Sequence, residues 1–298
     1  MNNYILSCCS TVDLSKEHLE ARDIHYCCFH YELGGTTYRD DLGVTIPFPE
    51  FYRRMVEGEM TKTSQLNAEE YEEYFEPFLQ EGKDILHLTL SSGISGTINS
   101  ANIARDTLSE KYPDRKIIVL DSLAASSGYG LLMDRLADLR DQGMDIESLA
   151  AWAAEHRTEV NHWFFSGDLT FFVRGGRISK ASGFVGNVLN ICPLMNVNFE
   201  GKLIVREKVR TKKKVTKAIA QKMVELAEDG VNYSGKCYMS NAACYEDARA
   251  VADIVEATFP HLDGKVEIND IGTTIGAHTG PGTVALFFWG KKRILPED

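Results

Sequence analysis

No run of apolar residues in this chain approaches the ~18 needed to cross a bilayer; the longest, Val284 to Trp289, is the length of a strand. The opening Met1-Asn2-Asn3-Tyr4-Ile5-Leu6-Ser7 lacks the basic and long apolar stretches of a secretion signal. Positive charge is also short: 32 Lys and Arg stand against 43 Asp and Glu, a formal net charge of −11. Such a surface repels nucleic-acid phosphates. The basic cluster Lys212-Lys213-Lys214 with Lys217 reads as the solvated start of a helix, not a nucleic-acid footprint. None of the seven cysteines forms a C-x-x-C pair, the count is odd, and most lie in apolar strand-like runs. They read as buried, reduced thiols of a cytoplasmic protein rather than metal ligands or a disulfide framework. The nucleophile elbow G-x-S-x-G and the phosphate loop G-x-x-x-x-G-K-[ST] are missing, and no His, Cys and Asp stand at metal-ligand spacing. These absences predict no metal, no cofactor, no nucleic-acid partner and no stable membrane insertion.

What is present is ordinary globular material, 44% hydrophobic and 25% charged. The 298 residues are about twice one usual domain, which predicts two, at 1–160 and 161–298. In the first, Tyr4 to Cys9, His25 to Tyr31, Ile85 to Leu90 and Lys116 to Leu120 read as strands. A helix opens at Pro49 and carries Phe51, Tyr52 and Met55. Asn67 with Glu70 is the signature of a capping box. After it, Tyr71, Tyr74, Phe75, Phe78 and Leu79 form one core-facing stripe, which Pro77 should kink or end early. Asp145 caps a helix running to about Glu159. Strand, small-residue turn and helix recur, the pattern of a parallel sheet with helices on both faces.

Past Asn161 the texture changes. A turn at Asn198 to Gly201 leads into strand Leu203 to Val209, then a helix from Val215 to Glu228 closed by Gly230. Strand Cys237 to Asn241, helix Glu246 to Phe259 and strands Val266 to Ile271 and Thr283 to Trp289 complete it. The predicted fold class is α/β: two α/β domains, an N-terminal mostly parallel sheet flanked by helices and a C-terminal domain with a mixed sheet.

Three segments rich in Gly, Ser and Thr stand where strands end. Ser91-Ser92-Gly93-Ile94-Ser95-Gly96-Thr97 follows a strand and opens a helix, so its free N–H groups and hydroxyls suit an anion. Taken alone it reads rather as an ordinary βα turn with an N-cap. Lys62-Thr63-Ser64-Gln65 by itself is a loop before a helix. Ile271 to Thr283 sets His278 in a glycine-rich loop, a backbone built to pass close to a ligand or another domain. Ser95 and His278 could serve as nucleophile and base of an acyl-ester hydrolase, but no third residue orients them.

Taken in order, six motifs resemble the DegV family along nearly the whole chain: Ser10-Thr11 with Asp13-Leu14, Thr63-Ser64-Gln65, Ser91-Ser92 with Ser95-Gly96-Thr97, Asp121-Ser122, Gly176-Arg177-Ile178-Ser179, and His278-Thr279-Gly280-Pro281-Gly282. The family is similar to the fatty-acid-binding subunits of bacterial two-component fatty acid kinase. The resemblance implies a non-enzymatic protein that holds a long-chain fatty acid between two domains, its carboxylate on Thr63 and Ser95. It further implies that a separate ATP-binding kinase subunit phosphorylates that carboxylate. Gly96, Thr97, Arg177 and His278 would then lie near the head group or meet the partner. A carrier or sensor with no kinase partner is a further reading. Two departures stand out: Cys9 replaces the family's usual Asp, and Leu66 stands where Pro is frequent. The physics agrees with a lipid cargo, since a C16 tail gains on the order of 10 kcal/mol gross at ~0.8 kcal/mol per buried methylene. The carboxylate then needs only hydrogen-bond donors to stay ionised.

Overall fold

The computed structural model describes residues 3–179 and 191–293. Strand β1 (Tyr4–Cys9), buried throughout, is followed by α1 (Lys16–Ala21) and pairs in parallel with β2 (Ile24–Cys27). The apolar run expected to be one strand from His25 to Tyr31 is instead two. The backbone of Phe29 leaves the sheet, its N–H donating to Ser10 Oγ (3.2 Å) and its carbonyl accepting from Asp40 N (2.8 Å). The chain then re-enters as β3 (His30–Leu33) of a small antiparallel sheet, beside β4 (Thr36–Arg39) and, after α2 (Phe48–Val56), β5 (Thr61–Ser64). Thr63-Ser64, expected in a loop, therefore lies on a strand, with Thr63 opposite Tyr31.

The capping box of α3 (Ala68–Gln80) forms in both directions, Glu70 N to Asn67 Oδ1 and Asn67 N to Glu70 Oε2. It is worth about 1 kcal/mol. Pro77 does not end the helix early; it stands in the last turn, flanked by the buried anchors Phe75 and Leu79. Next come β6 (Asp84–Thr89), α4 (Thr97–Lys111) and β7 (Ile117–Asp121), completing a wholly parallel sheet of order β2-β1-β6-β7.

Helix α5 (Ser126–Asp141) is buried along its first nine residues, because it packs against both large sheets. Its glycines permit this: a Cβ at Gly128 would stand 2.4 Å from His162 Nε2, and one at Gly130 would stand 2.7 Å from Leu14 Cγ. After α6 (Ile146–His156), capped by Asp145, the chain enters β8 (Val160–Phe165), α7 (Thr170–Arg174), β9 (Ile191–Val197), β10 (Leu203–Arg210) and α8 (Lys212–Leu226). Lys212, Lys213 and Lys214 are the exposed first turn of α8.

The remaining elements are β11 (Tyr238–Asn241), α9 (Tyr245–Thr258), β12 (Glu267–Asp270), α10 (Thr273–Thr279) and β13 (Val284–Trp289). The second sheet runs β10-β9-β8-β13-β11-β12, with β11 and β12 parallel and the other pairs antiparallel. The fold is thus α/β, with one parallel sheet, one mixed sheet and the small antiparallel one. The glycine-rich stretch expected to be a loop contains α10. Gly276 lets that helix lie against α2, since a Cβ there would meet Tyr52 Oη at 2.4 Å. No helix among the described residues is long and apolar enough to cross a membrane.

Candidate functional site

A cavity of about 320 Å³ lies between the mixed sheet and the elements facing it. Alternation along a strand puts every second side chain on one face; His162 and Phe164 of β8 and Ala285 and Phe287 of β13 accordingly form its floor. Val197 and Leu203 extend that floor, while Leu90, Ile94, Ile271 and Ile275 close the opposite side. The interior is mainly hydrocarbon, and Thr63, Ser95, Arg177 and His278 are among the polar groups that line it.

Arg177, His278 and Thr63 come together from three distant pieces of chain. Arg177, just after α7, donates from Nε to Ile94 O (3.2 Å) and from Nη1 to Gly175 O (2.6 Å) and His278 Nδ1 (3.4 Å). Arginine only donates, so Nδ1 of His278 accepts and the neutral ring carries its proton on Nε2. Nε2 in turn donates to Thr63 Oγ1 at 2.7 Å. Burial, and then the Arg177 charge, bring the His278 pKa down to about 4, so the ring is neutral at pH 7. Thr63 accepts from the imidazole and keeps its own proton to donate into the cavity. A methyl group at Gly175 would stand 2.2 Å from His278 Nδ1, so this position needs glycine.

Ser95 approaches from the turn before α4. Its hydroxyl accepts from Thr97 N (3.2 Å) and donates to Gln65 Oε1 (3.2 Å), which fixes it at the cavity beside the end of β5. Among the described residues no carboxylate pairs with Arg177, whose pKa is lowered by burial alone. Two hydroxyls, an imidazole and an unbalanced guanidinium beside an apolar slot suit an anionic head on a hydrocarbon tail.

The DegV family model matches residues 9–291. A DegV domain-containing protein of Clostridium perfringens is 35% identical over 294 residues, covering 98% of this chain and 99% of that one. This chain belongs to the DegV family. Among solved structures, a DegV family protein from Thermus thermophilus, described for its fatty acid binding, superposes with a TM-score of 0.85 at 26% identity, covering 97% of this chain and 100% of that one. The fatty acid kinase B3 protein of Streptococcus pneumoniae, loaded with linoleic acid, gives 0.83 at 22% identity, covering 98% and 100%, and shares the fold.

The DegV motifs do not all meet at the cavity. Thr63, Ser95, Arg177 and His278 line it together. Gly96 is exposed next to Gln65. Thr97 turns away: fully buried, its Oγ1 lies 2.8 Å from Tyr71 Oη, so its side chain meets neither cavity nor partner. The opening motif is structural in its contacts. Asp13 accepts from Gly272 N (3.0 Å), and Ser10 and Thr273 both donate to Asp40 (3.1 and 2.8 Å), tying the start of the chain to α10. Cys9, the departure from the family pattern, points into the core toward Tyr71 Oη (3.5 Å) and His87 Nε2 (3.8 Å).

Tertiary structure also gathers what spacing did not show. Cys9, Cys27 and His87, all buried, bring possible ligand atoms within 4.8 Å of one another. They offer three donors where a closed zinc site takes four. Gln65 and His162 are among the cavity residues that sequence reasoning left without a role. Gln65 sat inside a recognised motif, where only its neighbours were given roles. His162 lies in Val160-Asn161-His162-Trp163-Phe164-Phe165, a run with no signal beyond that of a core strand.

Proposed function

We propose that this chain binds a long-chain fatty acid in the cavity, its tail along the apolar floor and its carboxylate held by the Thr63 hydroxyl and by the Ser95 hydroxyl, which exchanges its bond to Gln65 Oε1 for one to the ligand. The observation that carries this reading is the Arg177–His278–Thr63 relay, which leaves one hydroxyl proton directed at an anion at the mouth of a hydrocarbon slot. Fatty-acid binding by a DegV relative of the same fold supports it. The cargo is presented, in the cytoplasm, to a separate ATP-dependent kinase subunit that phosphorylates the carboxylate. A fatty acid kinase protein among the fold's neighbours and the absence of a phosphate loop here support that division of labour. The two α/β domains that enclose the cargo meet near residue 160. Hydrolysis by Ser95 and His278 has little to support it, because Ser95 bonds to Gln65 and a cation rather than a carboxylate faces the imidazole.

The test is to denature the purified protein, extract it and identify the released lipid by mass spectrometry, then delipidate and reload it. A stoichiometric fatty acid is expected. Thr63→Ala and Ser95→Ala should each weaken reloading by about 1.5–3 kcal/mol, the range for a bond to a charged group. Wild-type affinity in both variants would show the head-group assignment to be wrong. Phosphorylation of loaded protein by a candidate kinase subunit, and none by ATP alone, tests the presentation step.

A further inference from the structure

The parallel sheet brings together a second set of chemically active side chains, none of which lines the fatty-acid cavity. Cys9 of β1 and Cys27 of β2 are partners in register, and His87 of β6 is the partner of Ser7. Alternate residues of a strand and their register partners point to one face of a sheet. Ser7, Cys9, Cys27 and His87 therefore share a face, and α3 covers it. Tyr71 and Phe75 of that helix set their rings edge-on to His87, with centroids 5.4 and 5.2 Å away.

The distances bracket an ion. Cys9 Sγ, Cys27 Sγ and a ring nitrogen of His87 all lie within 4.8 Å of one another. A point centred among atoms so spaced is within about 2.8 Å of each, against ~2.3 Å for a zinc–sulfur bond and ~2.0–2.1 Å for zinc–nitrogen. Small side-chain movements close that gap. A fourth donor stands beside the three: Cys9 Sγ is 3.8 Å from His87 Nε2 and 3.5 Å from Tyr71 Oη. With those bond lengths, the sulfur–nitrogen and sulfur–oxygen edges of a zinc tetrahedron are each about 3.6 Å.

The outer partners fit as well. A metal on Nε2 requires the ring hydrogen on Nδ1, and Ser7 Oγ stands 2.8 Å from Nδ1 to accept it. Ser7 Oγ is itself 2.8 Å from Tyr74 Oη, and Tyr71 Oη is 2.8 Å from Thr97 Oγ1. Two thiols that lose their protons to form thiolates balance a divalent ion, so the buried unit carries no net charge. A monovalent ion would leave one negative charge in the core. Structural zinc sites are closed, and the ion is captured as the ligands assemble, so no channel is needed.

We propose that Cys9, Cys27, His87 and Tyr71 form a structural zinc site that pins β1, β2 and β6 to α3. It is independent of the fatty-acid reading. Cys9, the departure from the family's usual Asp, supplies one of its two sulfurs.

The test is to unfold the protein with reductant and chelator, then refold it with Zn²⁺, with Co²⁺ or without metal. Zinc refolding should leave one ion per chain after exhaustive dialysis, by elemental mass spectrometry, and a higher Tm than metal-free protein. The cobalt form should show sulfur-to-cobalt charge transfer and the intense visible bands of a tetrahedral site. In folded Cys27→Ser the charge transfer should fall by about half, and zinc affinity by more than tenfold, since even outer-shell changes cost ~10–100-fold. Folded Tyr71→Phe should keep the charge transfer and shift the visible bands. No retained zinc, or cobalt bound without sulfur charge transfer, would overturn the proposal. So would undiminished charge transfer in Cys27→Ser, which would place the ion elsewhere, and unshifted bands in Tyr71→Phe would strike out the four-ligand site. The zinc count and cobalt spectrum use the wild-type chain, so they decide the matter even if a variant does not fold.

Discussion

His18 and His278 are both partly buried and both sit among charged groups, yet their pKa values move in opposite directions. His18 of α1 hydrogen-bonds Asp134 (3.1 Å) and faces Glu267 (3.5 Å), and these carboxylates raise it to about 9. Asp134 also receives Lys236, Tyr238 Oη (3.2 Å) and the Arg22 guanidinium (3.1 Å). Burial alone would raise that carboxyl, but the bonds from His18 and Lys236 bring it well below the usual range. In this knot each charge meets its opposite, and it ties α1 and α5 to β11 and β12. At the cavity mouth the histidine faces a cation instead, and Arg177 has no carboxylate among the described residues. A complete set of charges holds a fold together; a set short of one anion is suited to receive it from a ligand.

Breaking the knot should have the larger effect. Asp134→Asn leaves Lys236 and His18 without their shared charge, and unfolding in denaturant should show a loss of about 3 kcal/mol or more. Fatty-acid affinity measured on the folded variant should be little changed, because Asp134 does not line the cavity. Affinity that falls in step with stability would mean the two regions are not separable. Gly175→Ala should act in the reverse sense. Its methyl group displaces the His278 ring, and calorimetric titration should find binding weaker by about 1–2 kcal/mol, a typical overpacking penalty. Unchanged affinity would show that the position of the imidazole does not matter to the ligand.

The smallest effect is in the dependence of stability on pH. The raised pKa of His18 means that its contribution is full below pH 6.5 and disappears as pH climbs through about 9. For His278 the sign reverses: its neutral form contributes fully above pH 6.5, and that contribution disappears as pH falls through about 4. After solvent screening each is worth about 1 kcal/mol. His18→Gln should flatten the stability profile on the alkaline side, and His278→Asn on the acid side. The two variants flattening the same limb would contradict the opposed environments.

Much of the architecture could be read from local pattern. Asn67 and Glu70 are three residues apart and form the box their spacing predicted; Phe51, Tyr52 and Met55 are buried as one helix face. Pattern failed where distant contacts intervened. Phe29 gives its backbone bonds to Ser10 and Asp40, so an apolar run became two strands in different sheets. The glycines from Ile271 to Thr283 looked like a loop, but close packing under Tyr52 makes seven of those residues a helix. Motif order alone pointed to Thr63, Ser95, Arg177 and His278, whereas nothing in Val160 to Phe165 distinguished His162 from a core residue.

The sequence by itself determined the family, the succession of strands and helices, the caps, and the lack of a phosphate loop or nucleophile elbow. These depend on residues within a few positions of each other, where propensity and periodicity act. Tertiary structure alone decided which way the protons point. Thr63 and His278 are 215 positions apart, and only their contact, with Arg177 on the far side of the ring, assigns the donor and keeps the imidazole neutral. A side chain's charge and tautomer are set by burial and by the groups that face it, and here the fold brings those groups from three remote parts of the chain.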